Sequence, residues 1–177
     1  MSIWMLHHKH HRHSIRLPEY DYSTCGAYFI TICTQNRACW FGEIIDGEMI
    51  LNNVGKMVKD EWLKTEQLRT NVQCGTFVVM PNHLHGIIVI NETVGAIHEL
   101  PLKMSQKQRR NMILPKIIGR FKMQSSKQFN QLHNTPGQQF WQRNYYEHII
   151  RNEQDYHRIH DYIVNNPLKW ECDSLHP

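Results

Sequence analysis

The sequence predicts an α+β domain with one antiparallel sheet and helices over one face. Three observations carry that prediction. Short apolar runs rich in β-branched residues interleave with stretches whose apolar residues recur at helical spacing. An Asp46-Gly47 pair lies between two such runs, the signature of a tight hairpin and so of antiparallel strands. The chain, at 177 residues, suits a single core.

In chain order, residues 1–16 hold five histidines and little to bury, and are expected to be a mobile tail ahead of one domain spanning 17–177. Ala27 to Thr34 reads as a strand that exits through Gln35-Asn36-Arg37. A second strand is expected near Trp40 to Ile44 and, after the Asp46-Gly47 turn, a third at Met49 to Leu51. Asn52 or Asn53 caps a helix to about Thr65, with Val54, Met57, Val58, Glu61 and Trp62 along one face. Phe77–Met80 and Ile87–Ile90 flank a break at Pro81-Asn82, and 91–112 is a connection without clear period. Pro115 begins a helix that turns Ile117, Ile118 and Phe121 inward. Gln139 to Arg143 is expected as an edge strand, and Asn152 to Asn165 as a last helix ended by Pro167.

Composition narrows the function classes. No apolar run approaches the roughly 18 residues of a membrane span, and the start of the chain lacks an apolar signal core, so a cytoplasmic protein is expected. Five cysteines without a CxxC pair suit neither a disulfide framework nor a structural zinc site. The net charge of +4 is unevenly spread: Leu100 to Tyr146 contains no Asp or Glu but nine of the 20 Lys and Arg residues. Such a segment repels itself unless an anion lies against it, and a nucleic-acid backbone is the usual one.

Candidate chemistry gathers at two places. His83 and His85, two apart on a strand, present both imidazoles to the same side while Leu84 points away. Two nitrogens need oxygen ligands to complete a divalent metal's shell, and an isolated His-x-His pair is more often merely packed. On the last helix, Tyr162 and Asn166 lie four apart and share a face, so Asn166 can offer a carbonyl oxygen to a cation beside which the phenol attacks an electrophile. Tyr145, Tyr146 and Tyr156 compete for the nucleophile's role, and Tyr156 falls on the core face with Ile159 and Ile163.

Four stretches taken together, in order, resemble the single-tyrosine HUH transposases and, within them, the REP-associated tyrosine transposases of bacteria. They are Tyr28-Phe29-Ile30-Thr31; Met80-Pro81-Asn82-His83-Leu84-His85-Gly86; Phe140 to His148; and Asp161-Tyr162-Ile163-Val164-Asn165-Asn166-Pro167. The resemblance implies an RNA-recognition or ferredoxin-like sheet, with the histidine pair on a central strand. It makes Tyr162 the nucleophile, forming a 5′-phosphotyrosine link, and His83, His85 and Asn166 the ligands of Mg²⁺ or Mn²⁺. It implies single-stranded DNA with imperfect hairpins as partner, and a monomer or homodimer. For DNA contact, Arg120, Lys122 and Arg143 are the candidate phosphate binders, and Tyr145 and Tyr146 the candidate stacking platforms. A non-catalytic module for structured DNA or RNA on the same sheet is the competing reading, and it is indifferent to Tyr162.

Overall fold

The computed structural model describes residues 25–91 and 112–177. The expected His-rich tail, and nearly all of the expected 91–112 connection, lie outside them.

β1 (Gly26–Cys33) is followed by a short 3-10 turn, Gln35–Arg37, in which Asn36 and Arg37 take left-handed φ values of 57° and 56°. β2 (Gly42–Ile45) and β3 (Glu48–Leu51) form the expected hairpin, with positive φ at both Asp46 (51°) and Gly47 (78°), as a type I′ turn requires. α1 (Asn53–Gln67) starts at Asn52, whose side-chain oxygen accepts from the Gly55 N–H at 3.0 Å.

β4 (Val72–Val79) and β5 (His83–Ile90) begin earlier than their apolar runs suggested. Between them Pro81-Asn82 forms a tight reversal, closed by Met80 N donating to His83 O at 2.8 Å. Pro81 cannot donate to a ladder, so the chain turns there and His83 opens the next strand. α2 (Ile113–His133) carries Pro115 in its first turn, where the missing N–H costs nothing. β6 (Tyr146–Ile150) leads into α3 (Glu153–Val164), capped by Asn152.

The sheet runs β4-β5-β1-β6, antiparallel throughout, so β1-α1-β4-β5-α2-β6 is a ferredoxin-like arrangement with the two most central strands adjacent. Tyr28, Ile30 and Ile32 of β1 and Leu84, Ile88 and Ile90 of β5 pack against Val54, Val58 and Trp62 of α1 and the apolar face of α2. Gly86 permits this closeness, because a Cβ there would stand 2.6 Å from the Trp62 ring.

Two expectations need correction. Helices over one face describes α1 and α2, but α3 covers the other, its Ile159 and Ile163 packed on Phe29, Ile87 and Ile150. The split βαβ pairs must share a face, whereas a helix added after the last strand is free to cover the opposite one. Gln139 to Arg143 is no strand: it keeps only an isolated bridge between Thr34 and Trp141, and the edge strand is β6. Phe140 and Trp141 are consecutive and both buried, against Phe129 and Phe121 of α2, so the period-two alternation of a strand cannot hold there.

Candidate active site

The register sets the site. His83 pairs with Cys33 and His85 with Thr31, on the sheet face that α3 covers, while Leu84 enters the opposite core. Both imidazoles are buried and their ring centroids lie 4.4 Å apart. Thr31 Oγ1 bonds His85 Nδ1 at 2.7 Å and Asn82 Oδ1 bonds His83 Nδ1 at 2.7 Å. The far nitrogens therefore face the same space. Phe29 stacks on His85 at 5.4 Å and meets the Tyr162 ring edge-on at 5.9 Å.

α3 brings Tyr162 over the pair, with its hydroxyl 3.2 Å from His85 Nε2 and the side chain 42% exposed, so one end touches the site and the other meets solvent. Asn166 follows α3 by two residues but keeps helical backbone angles (φ −61°, ψ −41°), which leaves it one turn beyond Tyr162 as the spacing predicts. From Pro167 a 3-10 segment, Pro167–Cys172, curls back so that Trp170 lies against His83 at 6.1 Å between ring centroids. Asp173 then accepts from Asn166 Nδ2 at 3.1 Å.

The electrostatics follow from burial. Desolvation pushes the His83 pKa down to about 4; Asp173 and the Asn166 side chain oppose this in part, and Arg37 adds to it. Burial also holds His85 well below the usual imidazole value, and the neighbouring His83 lowers it further. Both rings are neutral near pH 7 and so keep lone pairs for a metal. Burial raises the Tyr162 pKa, and the Asp173 charge adds to the rise, so the phenol keeps its proton.

The donors fit a divalent cation. A ligand atom from each of His83, His85 and Asp173 lies within 4.8 Å of the others, the one such group among the described residues. His83 Nε2 and Asn166 Oδ1 are buried and lack hydrogen-bond partners. Each such atom is expensive to bury unpaired, and a metal between them satisfies both. A mixed set of imidazole nitrogens, amide oxygen and carboxylate suits a divalent cation.

Asp173 is the member that sequence reasoning missed. It stands beyond Pro167 in a segment without periodicity, and only the fold-back of the chain brings it in. Thr31 and Asn82 lay inside the recognised stretches, but no role was read for them.

The five residues expected on nucleic acid are placed unequally. Arg143 is exposed, and Tyr146 is 48% exposed with its ring 6.1 Å from Phe29, on the face of the site. Arg120 pairs with the buried Glu61 at 3.4 Å. Lys122 Nζ donates to the carbonyls of Gln142 and Arg143, and burial pushes its pKa down to about 8. Tyr145 packs against the main core. Lys122 thus ties α2 to the loop before β6. Among the described residues no helix is long and apolar enough to cross a membrane.

No protein-family model matches the chain. A Haemophilus influenzae protein described as uncharacterized is 44% identical over 171 residues, with 94% of each chain covered. A solved structure of a REP-associated tyrosine transposase bound to a REP hairpin is similar at a TM-score of 0.51 and 24% identity, over 85% of this chain and 72% of that one. At that identity the likeness is one of fold.

Proposed function

The chain belongs to one family with the Haemophilus influenzae protein and has the fold of a REP-associated tyrosine transposase; on that premise we propose that it is a metal-dependent tyrosine transposase. Its substrate is single-stranded DNA with imperfect hairpins, which it nicks and rejoins. The observation that carries this reading is the Tyr162 hydroxyl, 3.2 Å from His85 Nε2 at the mouth of a buried cluster of unpaired donors.

Tyr162 Oη attacks the phosphorus of a phosphodiester. The bond to the 3′ oxygen breaks, and the net transfer of one proton from the phenol to that oxygen leaves a 5′-phosphotyrosine and a free 3′-hydroxyl. Attack of a 3′-hydroxyl on the phosphotyrosine reverses these steps and joins strands, so neither water nor a nucleotide cofactor is consumed. His83 and His85, with Asn166 and Asp173, would hold the divalent cation, which when bound would polarise the phosphoryl oxygens and offset their developing charge. That help matters because a phenol with a pKa of about 10, raised further here, is a poor nucleophile near pH 7.

Phe29 and α3 hold the Tyr162 ring, and its half-exposed position leaves room for a flexible strand. Arg143 and Tyr146 lead the DNA contacts, as a phosphate partner and a stacking surface worth roughly 1–3 kcal/mol per base. Arg120, Lys122 and Tyr145 would first have to leave the partners they have within the chain.

The test is incubation of the full chain with end-labelled single-stranded hairpins from the flanks of its own gene, with Mn²⁺ or chelator, followed by a denaturing gel. A slow-migrating covalent adduct that requires metal and vanishes in Tyr162→Phe is the expected result. Tight hairpin binding with neither adduct nor cleavage in any divalent metal would overturn it in favour of a binding module.

A further inference from the structure

Asn82 is buried in the turn between β4 and β5, and both N–H groups of its side-chain amide are used. Its Nδ2 donates to Arg37 O at 3.1 Å and to Leu175 O at 2.8 Å. Carbonyl oxygens only accept, so the nitrogen must face them and the amide oxygen must face His83. The amide oxygen carries no proton, so the 2.7 Å bond to His83 requires Nδ1 to donate. A neutral imidazole has a single N–H, and the lone pair therefore sits on Nε2, the buried atom without a partner.

The same C-terminal segment orients the second amide of the site. Asp173 Oδ1 accepts from Leu175 N at 2.7 Å and Oδ2 from Asn166 Nδ2 at 3.1 Å, which leaves Asn166 Oδ1 as the unpartnered atom. Histidine in water favours the opposite tautomer, with the proton on Nε2, and in that form His83 is no ligand through its free nitrogen. Something must override that preference before any metal arrives.

We propose that Asn82 is the positioning residue of the metal centre: it locks His83 in the Nδ1–H tautomer, and it takes its own orientation from the carbonyls of Arg37 and of Leu175, the latter folded over the site. The role rests on the metal reading given above. It links the C-terminal segment to ligand chemistry, because loss of the Leu175 carbonyl removes one of the two acceptors that fix which way the Asn82 amide points. Outer-shell partners of this kind typically set about 10- to 100-fold of metal affinity.

Long-range ¹⁵N spectra of the metal-free full chain, with His83→Gln identifying the His83 signals, report the tautomer directly. Calorimetric titration with Mn²⁺ on the same samples reports affinity. In the parent protein His83 is expected as Nδ1–H. In Asn82→Ala the signal shifts toward Nε2–H and Mn²⁺ affinity drops about 10- to 100-fold. Finding Nε2–H in the parent protein overturns the proposal and needs no variant to fold. Unchanged tautomer and affinity in a folded Asn82→Ala overturns it as well, and leaves the metal reading standing. Nδ1–H in a parent protein that binds no Mn²⁺ at a site lost in His83→Gln overturns the metal reading, and the role of Asn82 toward a ligand falls with it.

Discussion

On one face of the sheet Leu84 and its neighbours meet α1 and α2 in a continuous apolar layer; on the other, one residue away along β5, His83 and His85 meet Tyr162 and Asn166 of the C-terminal elements. The same two central strands build both. The first face is closed, with Trp62, Phe121, Phe129, Phe140 and Trp141 filling it at ring distances of 4.1 to 5.5 Å. The second holds a small apolar cluster under α3 and, beyond it, polar atoms left unpaired. Burying such atoms costs roughly 1–3 kcal/mol each, and the closed face offsets that cost. Stability and chemistry are thus segregated by the strand's period of two.

Substitution of adjacent residues on β5 tests that segregation most severely. His85→Gln is expected to cut covalent adduct formation by at least about a thousandfold, the loss of several kcal/mol of transition-state stabilisation, with only a small change in melting temperature. Leu84→Ala should do the reverse, destabilising the fold by about 2–5 kcal/mol in chemical denaturation while the adduct yield per folded molecule stays close to the parent's. If both changes act alike on activity and stability, the two faces are not separate.

The site face should also show itself in the pH dependence of the metal-free protein. His83 has a folded pKa of about 4 against an ordinary value of 6.5, so the unfolded chain binds more protons between these values. Stability is then fully present above pH 6.5 and is lost as pH falls toward 4, by up to a few kcal/mol. Thermal melts across that range should show the fall, and His83→Gln should lessen it, the remainder belonging to His85, whose pKa burial also holds low; an unchanged slope would place the acid sensitivity elsewhere.

Gly86→Ala probes the closed face from the backbone. The added methyl meets the Trp62 ring at 2.6 Å, so a loss of about 1–3 kcal/mol is expected in urea unfolding. The smallest effect is reserved for Asn152→Ala, which removes the cap of the helix that carries Tyr162. About 1 kcal/mol of stability should go, and α3 should show faster amide exchange than α1, because its apolar contact is with the smaller cluster.

Much of this was legible in the chain because it depends on local spacing. Asp46-Gly47 announced a turn with two positive φ values, Asn52 announced a cap, and the His83 and His85 alternation held because a strand has one geometry. Phe140 and Trp141 misled for the same reason. Their apolar character suited a strand, but strand pairing was overruled by a core that took both rings. The five basic and aromatic residues expected on DNA were legible as chemistry only, since Glu61, which claims Arg120, and the Gln142 and Arg143 carbonyls, which claim Lys122, are partners that only folding supplies.

The sequence by itself determined which face of its own element each of His83, Leu84, His85 and Tyr162 occupies, since 2.0 and 3.6 residues per repeat are properties of the backbone. Only the tertiary structure decided that the face bearing the histidines would be covered by the last helix, that Asp173 would join them, and that the Leu175 carbonyl would meet the Asn82 amide 93 residues earlier in the chain. Contacts across such separations follow from how whole layers pack, and no periodicity along the chain encodes them.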